Sequence, residues 1–107
     1  MINLEDFQKA EIRIGKVKSV EKVEGADKLL KFIFDMGTEE RQILSGIAEY
    51  YTDLEALVGK EMAIIVNLEP RVIRGHESQG MVLAAVDGDR PVFISPEKEV
   101  TPGSIVR

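Results

Sequence analysis

The alternation of apolar side chains at Ile12 and Ile14 breaks at Gly15 and resumes at Val17 on the opposite parity. Side chains along a strand alternate faces with a period of two, so such a slip turns the following apolar residues outward unless the chain bends. A glycine at the break reads as a β-bulge and a sharp bend. A long, bent first strand is what a small barrel needs to turn a corner. The chain has 107 residues, which suits one domain able to bury roughly 60–70% of its unfolded surface.

The remaining pattern extends this reading. Asn3 caps a short helix reaching Phe7. Leu30, Phe32, Phe34 and Met36 alternate with Lys31, Ile33 and Asp35 as a second strand. Residues 37–40 make a hairpin-like connection, and residues 41–47 a third strand. Thr52 and Glu55 fit a capping box for a helix with Leu54, Leu57 and Val58 on its apolar side, ended by Gly59. Residues 62–68 read as a fourth strand, 71–80 as a long polar loop, and 81–86 as a fifth strand. After a turn at 87–89, residues 92–94 pair back, 95–98 form one helical turn, and Pro102-Gly103 precedes a last short strand. Three strands, a helix and two strands is the order of the OB fold: an all-β, five-stranded Greek-key barrel with a short helix between strands three and four, here with a C-terminal extension. The expected organisation is one domain over 1–107, with a barrel over roughly 9–90 and a dimerisation extension over roughly 91–107.

The net charge of −5 argues on its own against a polyanionic ligand. It is unevenly spread. Residues 9–23 carry five basic side chains against two acidic, a balance of +3, whereas residues 24–59 carry three against eight. A local basic stripe serves phosphate even in an acidic chain. The absence of cysteine excludes disulfides, thiolate metal sites and cysteine nucleophiles, and fits a reducing, cytoplasmic setting. No signal-like start and no apolar run of membrane-spanning length is present, so no membrane partner is expected.

No catalytic constellation stands out, and no enzyme is expected. His76 is the sole histidine and lies among polar neighbours, which leaves no histidine-based metal site; no metal and no cofactor are expected. Gly75 and Gly80 flank His-Glu-Ser-Gln with no following Lys-Ser or Lys-Thr, so there is no P-loop. The most unusual stretch is 67–81, with Asn67, Arg71, Arg74, Ser78, Gln79 and Met81. Arginine forks suit phosphates and stack on bases. Ser, Gln and Asn suit base and ribose edges. The same stretch also reads as an ordinary connection whose arginines are offset by Glu69 and Glu77. Phe7, Phe32, Phe34 and Phe93 read as core, leaving Tyr50 and Tyr51 as the only other aromatics. That scarcity favours backbone and shape recognition over base stacking.

The stretches Ile12-Arg13-Ile14-Gly15-Lys16-Val17, Gly25-Ala26-Asp27-Lys28-Leu29-Leu30, Arg41-Gln42-Ile43-Leu44-Ser45-Gly46-Ile47, Ile73-Arg74-Gly75 and Ser78-Gln79-Gly80-Met81 carry a resemblance. Together they resemble the tRNA-binding domain found at the C-terminus, or as a separate β subunit, of methionyl-tRNA synthetases. Similar modules occur in the endothelial monocyte-activating polypeptide family and in free-standing tRNA-binding homodimers. The resemblance implies an OB fold, tRNA as partner, a homodimer, a synthetase catalytic subunit as a further partner, and no aminoacylation by this chain. Carried over by position, it makes Arg13, Lys16, Lys28, Lys31, Arg41, Asn67, Arg74, Ser78, Gln79 and Met81 RNA-facing, to which the loop's second arginine, Arg71, is added. Met81 reads equally as core, and Lys31 as a solvated strand face. The dimer interface is expected from Val92, Phe93, Ile94, Val100, Ile105 and Val106. The resemblance is to members without the lysine-rich N-terminal extension that some relatives carry, and none is expected here. A chaperone-like, peptide-binding homodimer of the same fold is the alternative reading.

Overall fold

The structure, a computed structural model, describes residues 1–107. Its organising element is β1 (Ile12–Val23), which serves two partners in succession. The first half pairs antiparallel with β4 (Glu61–Ile65), Ile12 opposite Ile65 and Lys16 opposite Glu61. The second half pairs with β2 (Ala26–Asp35), Lys16 opposite Asp35 and Lys22 opposite Leu30. The handover at Lys16 is the corner of the barrel. The register slips between Val17 and Ser19, beyond the glycine where the sequence places the bulge. Gly15 has a packing role instead. A Cβ there would stand 2.5 Å from Ile64 Cδ1 and 2.9 Å from Met36 Sδ, so β1 crosses the core where no side chain fits.

Strand β3 (Glu40–Ser45) lies on the other side of β2, and β7 (Met81–Val82) on the other side of β4, giving the order β3-β2-β1-β4-β7. The segment before β7 comes back against β3. The Gln79 N–H donates to the Gln42 carbonyl at 2.8 Å, and the Leu44 N–H donates to Ser78 Oγ at 3.1 Å. These contacts close an OB-like barrel. Its core is the inward face of β2, with Leu30, Phe32 and Phe34 buried, and Met36 just past its end, packed against Val17, Ile43, Met62 and Ile64. Phe32 and Phe34 stack with centroids 5.3 Å apart. Each such fully buried side chain contributes roughly 1.5–3 kcal/mol of transfer free energy.

Several expected elements differ. Residues 71–80 are not a loop: β5 (Arg71–Ile73) and β6 (His76–Ser78) form a hairpin. The helix expected after strand three is replaced by two short 3-10 turns, Ala48–Tyr50 and Leu54–Leu57, and Thr52 caps neither. The Gly59 N–H donates to the Val17 carbonyl and the Val17 N–H to the Lys60 carbonyl, both at 2.8 Å, so the chain is drawn onto β1 before an α-helix can propagate. Strand four stops at Ile65, and Asn67 and Leu68 are exposed. Strand five divides at Leu83, whose N–H turns to the Ala63 carbonyl; β8 (Ala84–Asp87) pairs with β9 (Arg90–Phe93) as a separate hairpin. Residues 95–98 form no helical turn. The Ala63 N–H to Ile94 carbonyl bond at 2.9 Å and the Val100 N–H to Glu61 Oε1 bond at 2.8 Å hold that segment along β4. α1 (Leu4–Gln8) is capped by Asn3, as expected, but buries no residue, so Phe7 is not core.

The C-terminal segment belongs to the barrel. β10 (Ile105–Val106) pairs with β1, Val106 opposite Ile12, on the stretch that β2 leaves uncovered. The Ile14 N–H donates to the Ser104 carbonyl at 2.8 Å, and the Gly103 N–H to the Ile14 carbonyl at 2.7 Å. No helix of the chain is long and apolar enough to cross a membrane.

Candidate nucleic-acid interface

The β5–β6 hairpin turns through Arg74 and Gly75, with φ of 53° and 81°. Both lie in the left-handed region that two-residue hairpin turns require. Arg74 is the only non-glycine residue of the chain with a positive φ, a conformation that costs on the order of 1 kcal/mol. The hairpin is held by Ile73, which packs with Leu29 on a satellite core of Val23, Ala26 and Leu44. This small core ties the β1–β2 turn, β3 and the hairpin together at one end of the barrel.

The candidate residues fall into three groups. The first stands at the hairpin end. Lys28, Arg71 and Arg74 are exposed, and none forms an ion pair with the protein. Lys31 is half-buried and its ammonium lies 2.9 Å from Glu21 Oε1. The hydrogen bond and charge of Lys31 hold the Glu21 carboxyl below the usual carboxylate range, and His76 acts in the same direction. Met81 is 49% exposed and therefore not a core residue.

The second group ties separate segments of the barrel to one another. Arg13 donates to Glu11 Oε2 at 3.0 Å and to the Gly103 carbonyl at 2.8 Å. Arg41 donates to Glu39 Oε1 at 2.9 Å and to the carbonyls of Val66 and Gln79 at 2.8 and 3.1 Å. Asn67 accepts from the Glu11 N–H and donates to the Lys9 carbonyl. Gln79 Oε1 accepts from the Gln42 N–H at 3.0 Å. Ser78 is buried; its hydroxyl accepts from Leu44 N–H and donates to the Gly80 carbonyl. The polar groups of these side chains bond to the chain's own backbone and to neighbouring carboxylates. The third group is Lys16 alone, 3.5 Å from Glu99 on the C-terminal segment.

Among the expected interface residues, Phe93 packs inward, 6.3 Å from the Phe32 ring and 4.8 Å from Tyr51. Val100 and Val106 are half-buried, while Val92, Ile94 and Ile105 are exposed. Ile105 shares an apolar groove with Leu4, Phe7 and Ala10. Sequence reasoning passed over His76 and Leu68 as members of the hairpin end. His76 meets Glu21 only through the fold, and Leu68 is exposed at 42% where a strand residue was expected.

The fold and this arrangement define a class: a small barrel with exposed, unpaired cations on the β5–β6 hairpin and on β2. Comparison with known proteins specifies it. The family model described as "Putative tRNA binding domain" matches residues 12–105. Methionine–tRNA ligases of Archaeoglobus fulgidus and Thermotoga maritima are 52% and 49% identical over 105 residues, which is 98% of this chain and 16% of each ligase. The chain therefore spans about a sixth of the length of the curated relatives it matches. The crystal structure of a MetRS-related protein from Pyrococcus horikoshii has a TM-score of 0.92 and 38% identity, covering 100% of this chain and 98% of that one. The CsaA chaperone of Bacillus anthracis has a TM-score of 0.89 at 28% identity, covering 100% and 99%. The chain belongs to the tRNA-binding-domain family, a non-catalytic module.

Proposed function

We propose that this chain binds tRNA through its backbone and shape, as the module appended to, or the separate β subunit of, a methionine–tRNA ligase, and that it works in the cytoplasm as a homodimer. The observation that carries the reading is the family match over residues 12–105 combined with unpaired Lys28, Arg71 and Arg74 at one end of the barrel. Phosphate contacts supply most of the sequence-independent affinity of nucleic-acid binders, and free guanidinium forks suit them. The dimer is supported by the apolar groove of Leu4, Phe7 and Ile105, which lies open on the surface. Identities of 52% to a ligase and 38% to a MetRS-related protein, against 28% to a CsaA chaperone, favour tRNA over unfolded peptide.

A gel shift with bulk tRNA tests the proposal, alongside capture of a reduced, unfolded model protein. The expected result is a tRNA complex that weakens by roughly 1–3 kcal/mol in Arg74→Ala and no retention of the unfolded protein. Retention of the unfolded protein with no tRNA complex would establish the chaperone reading instead.

A further inference from the structure

Between the hairpin and β7 lies a cleft of about 460 Å³ that the family match does not explain. Half of its lining is apolar: Leu44 at the back, with Leu68, Pro70 and Met81 towards the mouth. Leu68 and Met81 are exposed, so the cleft opens to solvent. The volume lies in the range of small-ligand pockets, about 300–1,000 Å³.

The polar groups in the cleft are few and differ in availability. The Ser78 hydroxyl is saturated by Leu44 and Gly80. Glu69 and Arg71 remain, and neither is hydrogen-bonded or ion-paired within the protein. The cleft thus offers apolar surface, one carboxylate acceptor and one guanidinium. Apolar and guanidinium surfaces take the faces of unstacked bases, and the hydrogen-bonding edge decides which base is held. A carboxylate has two acceptor oxygens and no donor. Among RNA bases, guanine presents two adjacent donors on its Watson–Crick edge, N1–H and the N2 amine, which match both oxygens at once. Uracil presents one donor between two carbonyl oxygens, which a carboxylate repels.

We propose that this cleft holds a single unpaired guanine of the bound RNA, with Glu69 reading its Watson–Crick edge and Arg71 its adjoining phosphate or its face. The proposal rests on the tRNA-binding reading and adds a base-specific contact to binding otherwise led by the backbone. It also gives the exposed Met81 and Leu68 an occupant.

The test is methyl NMR of the full chain, following Met81, Leu68 and Leu44 during titration with guanosine 5′-monophosphate and, separately, uridine 5′-monophosphate, with a tRNA gel shift run in parallel. The expected result is saturable shifts of these methyls, with guanosine monophosphate bound about five-fold or more tightly, the discrimination of a good bidentate pair. Glu69→Gln keeps the shape and should bring that ratio towards one. Were Glu69 only a surface charge, Glu69→Gln would tighten both nucleotides equally and keep their ratio, which overturns the assignment. No methyl shift with either nucleotide, while tRNA still binds, overturns the cleft and leaves the tRNA reading intact. Absence of tRNA binding as well overturns both.

Discussion

Arg74 combines two demands that oppose each other. Its backbone sits at φ 53°, where asparagine or glycine is more comfortable, yet its guanidinium is exposed at the hairpin tip. Arg74→Asn should raise stability by up to about 1 kcal/mol, a shift of a few degrees in Tm, while weakening tRNA binding. Parallel thermal melts and binding curves check this; a loss of stability would contradict the strained turn. Gly15 is the reverse case, a position where any side chain collides with Ile64 and Met36. Gly15→Ala should cost about 1–3 kcal/mol in denaturant unfolding, the usual range for overpacking a core. Glu21 tunes the surface by occupying Lys31. Its folded pKa is lowered, so its contribution to stability is present above the unfolded carboxylate pKa and is lost as pH falls through the lowered folded value. Glu21→Gln should therefore lose stability relative to wild type at neutral pH, with the gap closing in acid. At neutral pH it should also tighten tRNA binding by releasing Lys31. Equal stability gaps at neutral and acid pH would refute the assignment.

At the scale of elements, the barrel strands were legible because each buries one face. The alternation from Leu30 to Phe34 in β2 is matched by its burial pattern, and buried Met36 continues it just past the strand. The β5–β6 hairpin was not legible, and the reason is physical. Val72 and Glu77 face each other exposed, as Arg71 faces the buried Ser78, so no apolar alternation marks the strands. Its anchor, Ile73, is met by residues from β1, β2 and β3, all more than 25 positions earlier in the chain. The 52–59 helix failed for the same kind of reason: its capping pattern is local, but Val17 takes the Gly59 N–H from far away in sequence. The candidate site was half legible. The cation types could be read off, but the sequence does not reveal that Arg13 is spent on Gly103 and Arg41 on Val66 and Gln79. Ile73→Asp should loosen the hairpin while sparing the main core. Hydrogen exchange over 71–78 should accelerate, with amides of β2 staying protected. Global unfolding in that variant would show that the satellite core supports the whole barrel.

At the scale of the molecule, a chain of net charge −5 that binds a polyanion must do so with a small part of its surface. In the proposed reading the hairpin end supplies that part, and a second subunit would double it without any new type of contact. Ile105 lies opposite Arg13 on β1 and is exposed beside Leu4 and Phe7. Ile105→Asp should give monomers in sedimentation with weakened tRNA affinity and an unchanged far-ultraviolet spectrum; a dimer of unchanged strength would move the interface elsewhere. The central claim, that free cations of the hairpin neutralise tRNA phosphates, is tested most directly by the salt dependence of tRNA affinity in wild type and in the Arg71→Ala/Arg74→Ala double variant. Each neutralised phosphate contributes about 0.7–0.9 to the slope of log affinity against log salt. The account predicts a steep linear decline for wild type and a shallower one for the double variant, by about one to two in slope. Equal slopes in the two proteins, or wild-type binding indifferent to salt, would contradict it.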